Sequence, residues 1–156
     1  MAQKPYKLHA TQLKALQVFK LGIEVHDPNV ALSDSFELGE FTIENGHSEF
    51  NADASSINVR MRVRAGHFAI DDDNSAEKND EFSGQALSLI VEVGGIFSID
   101  LEQFPSEHIY DWAEKNAPLV LYPYLREQVY GLSTRVGIKP VLLPLLEVPT
   151  MKFVKK

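Results

Sequence analysis

The sequence lacks cysteine altogether, so it can form neither disulfide bonds nor thiolate sites. It also lacks a hydrophobic run of the ~20 residues that a membrane-spanning helix needs. Residues 1–15 contain no apolar stretch of the ~7–15 residues that signal peptides carry. We therefore expect a cytoplasmic protein that does not insert into membranes.

Basic residues are in the minority: 15 Lys and Arg stand against 22 Asp and Glu, for a net charge of −7. Nucleic-acid-binding proteins draw much of their affinity from basic residues that neutralise phosphates, so we expect no nucleic-acid partner. An acidic protein attracts basic partners instead. A chain of 156 residues can bury its own core, and we predict a single domain over residues 1–156 with flexible ends at 1–14 and 150–156.

Motifs for catalysis and metal binding are missing as well. The sequence contains no GxxxxGK[ST] loop, no GxSxG elbow and no HxH or HExxH pair. Asp71, Asp73 and Ser75 resemble the start of a calcium loop, but Ala76 and Phe82 stand where that loop needs glycine and glutamate. We predict no catalytic residue, no metal and no cofactor.

Apolar residues alternate with polar ones through the first half of the chain, a period of two that predicts four strands. The alternation slips at Gly39-Glu40, which predicts a β-bulge, and Asn45-Gly46 predicts a turn. Gly94-Gly95 predicts a further bulge in the fourth strand. The apolar positions are Phe19, Leu21, Ile23 and Val25, then Phe36, Leu38, Phe41 and Ile43, then Ile57, Val59, Met61 and Val63, and last Leu87, Leu89, Val91 and Val93.

An arginine row occupies the opposite side of the third strand. Arg60, Arg62 and Arg64 alternate with the apolar residues there. We expect them to pair across the sheet with Glu24, Glu37 or Glu92.

The period changes to that of helices after Pro105. Ser106 is placed to cap a short helix through Trp112 and Ala113. A longer helix carries an apolar stripe and ends at Gly137. Strands followed by helices predict an α+β fold, a four-stranded antiparallel sheet with a short and a long C-terminal helix packed on one face. The stripe is Leu121, Leu125, Val129, Leu132 and Val136.

The segment PVLLPLLEVP at residues 140–149 combines leucines with three prolines. Proline opposes helix formation, so we predict an extended tail. Most of its residues are expected to cover the domain's own core, and part of it to form the wall of an apolar groove.

Two motifs resemble the SecB family of export chaperones: VEVGGIFSI at residues 91–99 and APLVLYPYLRE at 117–127. The resemblance implies a crossover loop between the first two strands and a homotetramer built as a dimer of dimers. It also implies that first strands join two subunits and that long helices lie between dimers. The residues in those positions are Phe19, Leu21 and Ile23 on the strand and Tyr124, Arg126, Glu127 and Tyr130 on the helix.

One departure from the family bears on its partner, the SecA motor. Family members that deliver clients to SecA dock it through acidic residues on the outer faces of strands one and four. Gly22, His26 and Ile90 occupy those positions here, which argues against SecA as a partner. The YPYLRE motif is more similar to the solitary SecB-like chaperones of toxin–antitoxin modules, which implies an antitoxin as an alternative client.

The resemblance implies a chaperone of the holdase type, which needs no ATP and binds unfolded or extended polypeptides, preprotein or antitoxin, in an apolar groove. One alternative is a chaperone dedicated to one antitoxin. Another is a small-molecule enzyme, which would need His67 or His108 buried beside a carboxylate in a closed pocket. The predicted client-binding residues are Phe36, Leu38, Phe41, Ile43, Phe104, Leu142 and Leu143.

Overall fold

A computed structural model describes residues 5–66, 68 and 86–147. Four strands are followed by two helices, and the connection between the first two strands contains one short helix. The elements are β1 (Thr11–Val25), α1 (Pro28–Ala31), β2 (Thr42–His47), β3 (Ser56–Ala65), β4 (Leu87–Ile99), a 3-10 helix (Ser106–His108), α2 (Ile109–Lys115) and α3 (Ala117–Arg135).

The strands form one antiparallel sheet in the order β1-β4-β3-β2, so β1 and β2 are its edges. The connection from β1 to β2 must therefore cross from one edge to the other. Asp27 accepts hydrogen bonds from the backbone of Asn29 and Val30 and so starts α1 within this crossover. The predicted α+β architecture is confirmed.

The core lies between the sheet and α3. The apolar side of β3 is at most 2% exposed from Ile57 to Val63, as its alternation predicts. Leu121, Leu125 and Val129 of α3 are fully buried against it, so the helical stripe is also confirmed. Trp112 of α2 closes one end, with its ring edge-on to Phe97 at 5.1 Å between centroids.

The two glycines of β4 make room for residues of β1 on both sides of the sheet. Both register shifts in the β1–β4 ladder fall within β1, between Leu13 and Ala15 and between Val18 and Lys20, while β3 pairs with β4 without interruption. The bulge predicted for β4 is therefore wrong, because the extra residues belong to its neighbour.

Gly95 lies on the core side of the sheet, where a side chain would meet buried residues. A Cβ atom there would lie 2.6 Å from Cδ1 of Leu13 and 3.0 Å from Cδ2 of Leu121, and Leu121 is fully buried. We expect Gly95→Ala to lower the free energy of unfolding by about 1–3 kcal/mol through overpacking. Gly46→Ala is the matched control, since a Cβ on that β2 residue meets nothing within 4 Å. Equal urea midpoints for the two variants would contradict this account of Gly95.

The second predicted strand is misplaced. Phe36, Leu38 and Phe41 precede β2 and lie in irregular backbone, where Gly39 has φ +78°. Asn45-Gly46 lies inside β2 instead of forming a turn. The chain turns before β3, where Asn51 and Ser56 form an isolated bridge. Alternating hydrophobicity misled the prediction because half-buried loop residues also alternate when they rest on a core.

The remaining differences concern the ends of elements. Ser106 caps no helix with its side chain; it begins the 3-10 helix that precedes α2. α3 begins at Ala117, earlier than its apolar stripe, with a proline in its first turn, and Gly137 ends it with φ +80°, as predicted. β1 begins at Thr11, so residues 11–14 of the predicted flexible N-terminus lie in a strand. The predicted flexible segment 150–156 lies outside the described residues.

Among residues 5–66, 68 and 86–147, no helix has the length and apolarity that crossing a membrane requires.

Candidate functional site

An apolar groove of about 190 Å³ runs between the crossover segment, residues 36–41, and the tail segment, residues 139–144. Phe36, Leu38 and Phe41 line one wall. The tail supplies the other wall, and one charged residue lies on each side. The complete lining is Phe36, Glu37, Leu38, Phe41, Lys139, Pro140, Val141, Leu142, Leu143 and Pro144.

The tail presents neighbouring leucines in opposite directions. Leu143 is 1% exposed and belongs to the core, whereas Leu142 is 66% exposed at the groove. Residues 139–147 form neither helix nor strand, as their prolines predict. Leu142 is therefore open to solvent at the groove, while Leu143 anchors the tail in the core.

Side chains of α3 hold the tail by its backbone. The Tyr122 hydroxyl donates a hydrogen bond to the carbonyl oxygen of Pro144. Arg126 Nε donates to the carbonyl oxygen of Leu143 at 3.0 Å. The backbone N–H of Val141 donates to Ser133 Oγ at 2.9 Å. These three contacts position an extended segment that has no ladder partner of its own.

Burial raises the pKa of Tyr122 above its ordinary value of 10.0, and the nearby Arg126 opposes the shift. At a pH between 10.0, the pKa of the unfolded chain, and the raised pKa of the folded chain, Tyr122 loses its proton only on unfolding. The free energy of unfolding therefore falls as the pH rises through 10.0.

We expect Tyr122→Phe to lower the free energy of unfolding by about 0.5–1.5 kcal/mol at neutral pH. This loss should shrink above pH 10.0. Urea unfolding of both proteins at several pH values would measure the change. A difference that stays constant with pH would contradict this role.

Five of the predicted client-binding residues line the groove, and two do not. Ile43 lies in β2 and is half-buried against the core. Phe104 packs on Trp112, with ring centroids 6.3 Å apart, and is not part of the groove lining. The prediction missed Val141, which belongs to the tail that it singled out at 140–149, and Lys139, which directly precedes that tail.

The edge strand β1 carries apolar side chains that the helices of this chain cover only in part. Leu16, Val18 and Leu21 are 39–43% exposed and lie opposite residues of β4 that face the core. The prediction named Leu21, which fits this strip, and Ile23, which is half-buried. Phe19 lies on the other face of the sheet, because the bulge at Val18–Lys20 breaks the alternation.

Of the four α3 residues predicted at an interface, three are exposed and one is half-buried. Tyr124, Glu127 and Tyr130 are exposed on α3, whereas Arg126 is half-buried and holds the tail. Val120 extends this exposed surface by one turn toward the helix start.

Within the described part of the chain, no three His, Cys, Asp or Glu side chains converge in a way that could hold a metal ion. His108 is exposed, so it does not meet the condition set for an enzyme. His67 and the residues of the calcium-like segment, 71–82, lie outside the described residues.

No protein-family model matches the chain. The protein-export protein SecB of Neisseria meningitidis (serogroup C strain FAM18) is 28% identical over 132 residues, which cover 84% of this chain and 80% of that protein. SecB of Neisseria gonorrhoeae matches with the same identity and coverage. Among solved structures, the SecB-like chaperone of Mycobacterium tuberculosis, in complex with a ChAD peptide from the HigA1 antitoxin, superposes with a TM-score of 0.64. It shares 20% identity, and the match covers 88% of this chain and 91% of that one. The resemblance seen in the sequence is confirmed, and the structural match shows the fold.

Proposed function

We propose that this chain, which is SecB-like in sequence and in fold, is an ATP-independent holdase that binds extended segments of unfolded proteins in the groove between residues 36–41 and 139–144. The observation that carries the proposal is the solvent-open apolar groove itself, with Leu142 66% exposed beside Phe36 and Phe41. A folded monomer gains nothing from leaving such a residue in water. A bound client would cover it.

A holdase of this kind acts by mass action. It binds the unfolded state and not the native one, so binding alone shifts the client toward the unfolded state by RT ln(1 + [L]/Kd). Apolar side chains of the client would enter the groove, and the net charge of −7 would speed the capture of basic segments. No step requires a catalytic residue, a metal or a nucleotide.

The proposal includes both client types, preproteins and antitoxins. The Neisseria relatives are named for protein export, and the Mycobacterium protein is bound to an antitoxin peptide. We propose that SecA is not a partner. Gly22, His26 and Ile90, which occupy the positions of the family's acidic residues, are not acidic. The one acidic residue of β4, Glu92, is 6% exposed and bound by arginines.

We propose a single-domain subunit that assembles as a dimer of dimers in the cytoplasm. The strip Leu16, Val18 and Leu21 lies on β1, an edge strand of the sheet that the described residues form, where a second copy would bury it. The exposed side of α3 with Tyr124 and Tyr130 would form the contact between dimers.

An aggregation assay tests the holdase function. A reduced, unfolded client protein is diluted into buffer without nucleotide, with and without this chain, and light scattering is followed. We expect suppression at near-stoichiometric amounts of chaperone. Unchanged scattering at a several-fold excess would refute the proposal, whatever the oligomeric state.

A further inference from the structure

A cluster of cations lies on the outer face of the sheet, the face opposite the helices, and the groove does not use it. At its centre is Glu92 of β4. Glu92 Oε1 accepts a hydrogen bond from Arg60 Nη1 at 3.4 Å, and Oε2 accepts from Arg62 Nε at 3.2 Å and Nη2 at 3.1 Å. Lys20 of β1 pairs in register with Glu92 from the other side. Two arginines thus bind one buried carboxylate, and the backbone of Lys20 lies beside it on β1.

Arg60 is held on a second side by an aromatic ring. Its guanidinium carbon lies 3.7 Å from the centroid of the Phe19 ring. The ring rests on Gly94, where a Cβ atom would lie only 2.5 Å from it. The β1 bulge and the missing side chain of Gly94 therefore build a support that fixes the guanidinium, which remains 54% exposed. A fixed, solvent-facing guanidinium loses little entropy on binding a ligand.

The charge of this surface favours an anionic ligand. A guanidinium has several N–H donors in one plane, and Glu92 accepts hydrogen bonds from only some of those of Arg60 and Arg62. The other donors can bind a ligand. Glu44, at 3.9 Å from Arg62, adds a negative charge only toward β2. Toward β1, Lys20 and Arg60 lie next to Glu92, and Glu24 is four residues further along the strand.

We propose that this arginine platform, formed by Phe19, Lys20, Arg60 and Arg62 around Glu92, docks a carboxylate-rich segment of a partner protein. Arg60 and Arg62 lie two residues apart on a strand, about 6.8 Å, which matches alternate side chains of an extended peptide. Carboxylates suit the planar donors of guanidinium. A nucleic acid fits less well, because its continuous row of phosphates would also meet Glu44, which lies 3.9 Å from Arg62.

The test uses a fluorescein-labelled peptide of alternating glutamate and serine, with binding followed by anisotropy. We expect saturable binding that weakens when salt rises from about 50 to 300 mM. Lys20→Gln and Arg60→Gln should each weaken binding about 5–10-fold. Lys115→Gln removes a similarly exposed cation from α2, where Lys115 pairs with Asp111, and should leave binding unchanged.

Three results would overturn the proposal: no saturable binding, equal binding of a lysine–serine peptide, or equal weakening by Lys115→Gln. An oligonucleotide that binds more tightly than the peptide would replace it with nucleic-acid recognition. Should Arg60→Gln unfold, Lys20→Gln decides alone, provided that light scattering shows the wild-type mass for this variant. Suppression of client aggregation should persist in these variants, so this proposal can fail while the holdase function stands.

Discussion

Replacing Leu142 with aspartate will weaken the binding of unfolded clients about 10–100-fold and leave the fold intact. Leu142 is 66% exposed in the free subunit, so the native state loses little when it is changed. Burying a leucine side chain is worth about 1.5–3 kcal/mol, and every 1.4 kcal/mol is about tenfold in affinity. The aspartate would also have to lose water next to Phe36 and Phe41. Affinity for a labelled, permanently unfolded client measures the effect.

Leu145→Asp is the matched control. Leu145 is 81% exposed in the same tail but does not line the groove, and the substitution adds the same charge. Client affinity should change less than about twofold. Equal losses of client affinity in the two variants would mean that the charge added to the tail weakens binding and that the groove does not take part.

A double substitution of Val18 and Leu21 with glutamate will split the proposed dimer of dimers at β1 and so lower its mass by half or more, toward that of the 17.5 kDa subunit. Both side chains belong to the strip on β1, and in a two-fold interface each is buried twice. Because each buried side chain contributes about 1.5–3 kcal/mol, the substitutions remove several kcal/mol of association free energy. Repulsion between the new charges adds to this loss. Size-exclusion chromatography with light scattering gives the mass directly.

Val30→Glu serves as the control for this pair, because Val30 is 51% exposed on α1, away from the edge strand. It should leave the mass unchanged. A wild-type protein that elutes as a monomer, or a double variant that keeps the wild-type mass, would contradict the proposed role of the strip.

Periodicity predicted those parts of the fold in which one side of an element meets the core. The β3 alternation and the α3 stripe both satisfy this condition, and both predictions are confirmed. It failed at Phe19, because one bulge moved a single residue to the other face. It failed again at residues 36–41, where a loop packs on the core and shows the same apolar alternation as a strand.

The groove could be predicted only as a set of candidate residues. Proline spacing indicated an extended tail, but it could not tell which of two adjacent leucines faces inward. That choice depends on the contacts of Tyr122 and Arg126 with the tail backbone, across separations of 22 and 17 residues. The cluster around Glu92 depends in the same way on register, because Arg60 and Arg62 meet Glu92 only once β3 and β4 are aligned.

Photo-crosslinking tests the location of client binding most directly. A benzophenone side chain would replace Phe36 or Leu142 in the groove and, for comparison, Tyr110, which is 46% exposed on α2. With a reduced, unfolded client present, we expect strong crosslinks from the two groove positions and weak ones from Tyr110. Crosslinks of equal strength at all three positions, or strongest at Tyr110, would contradict client binding in the groove.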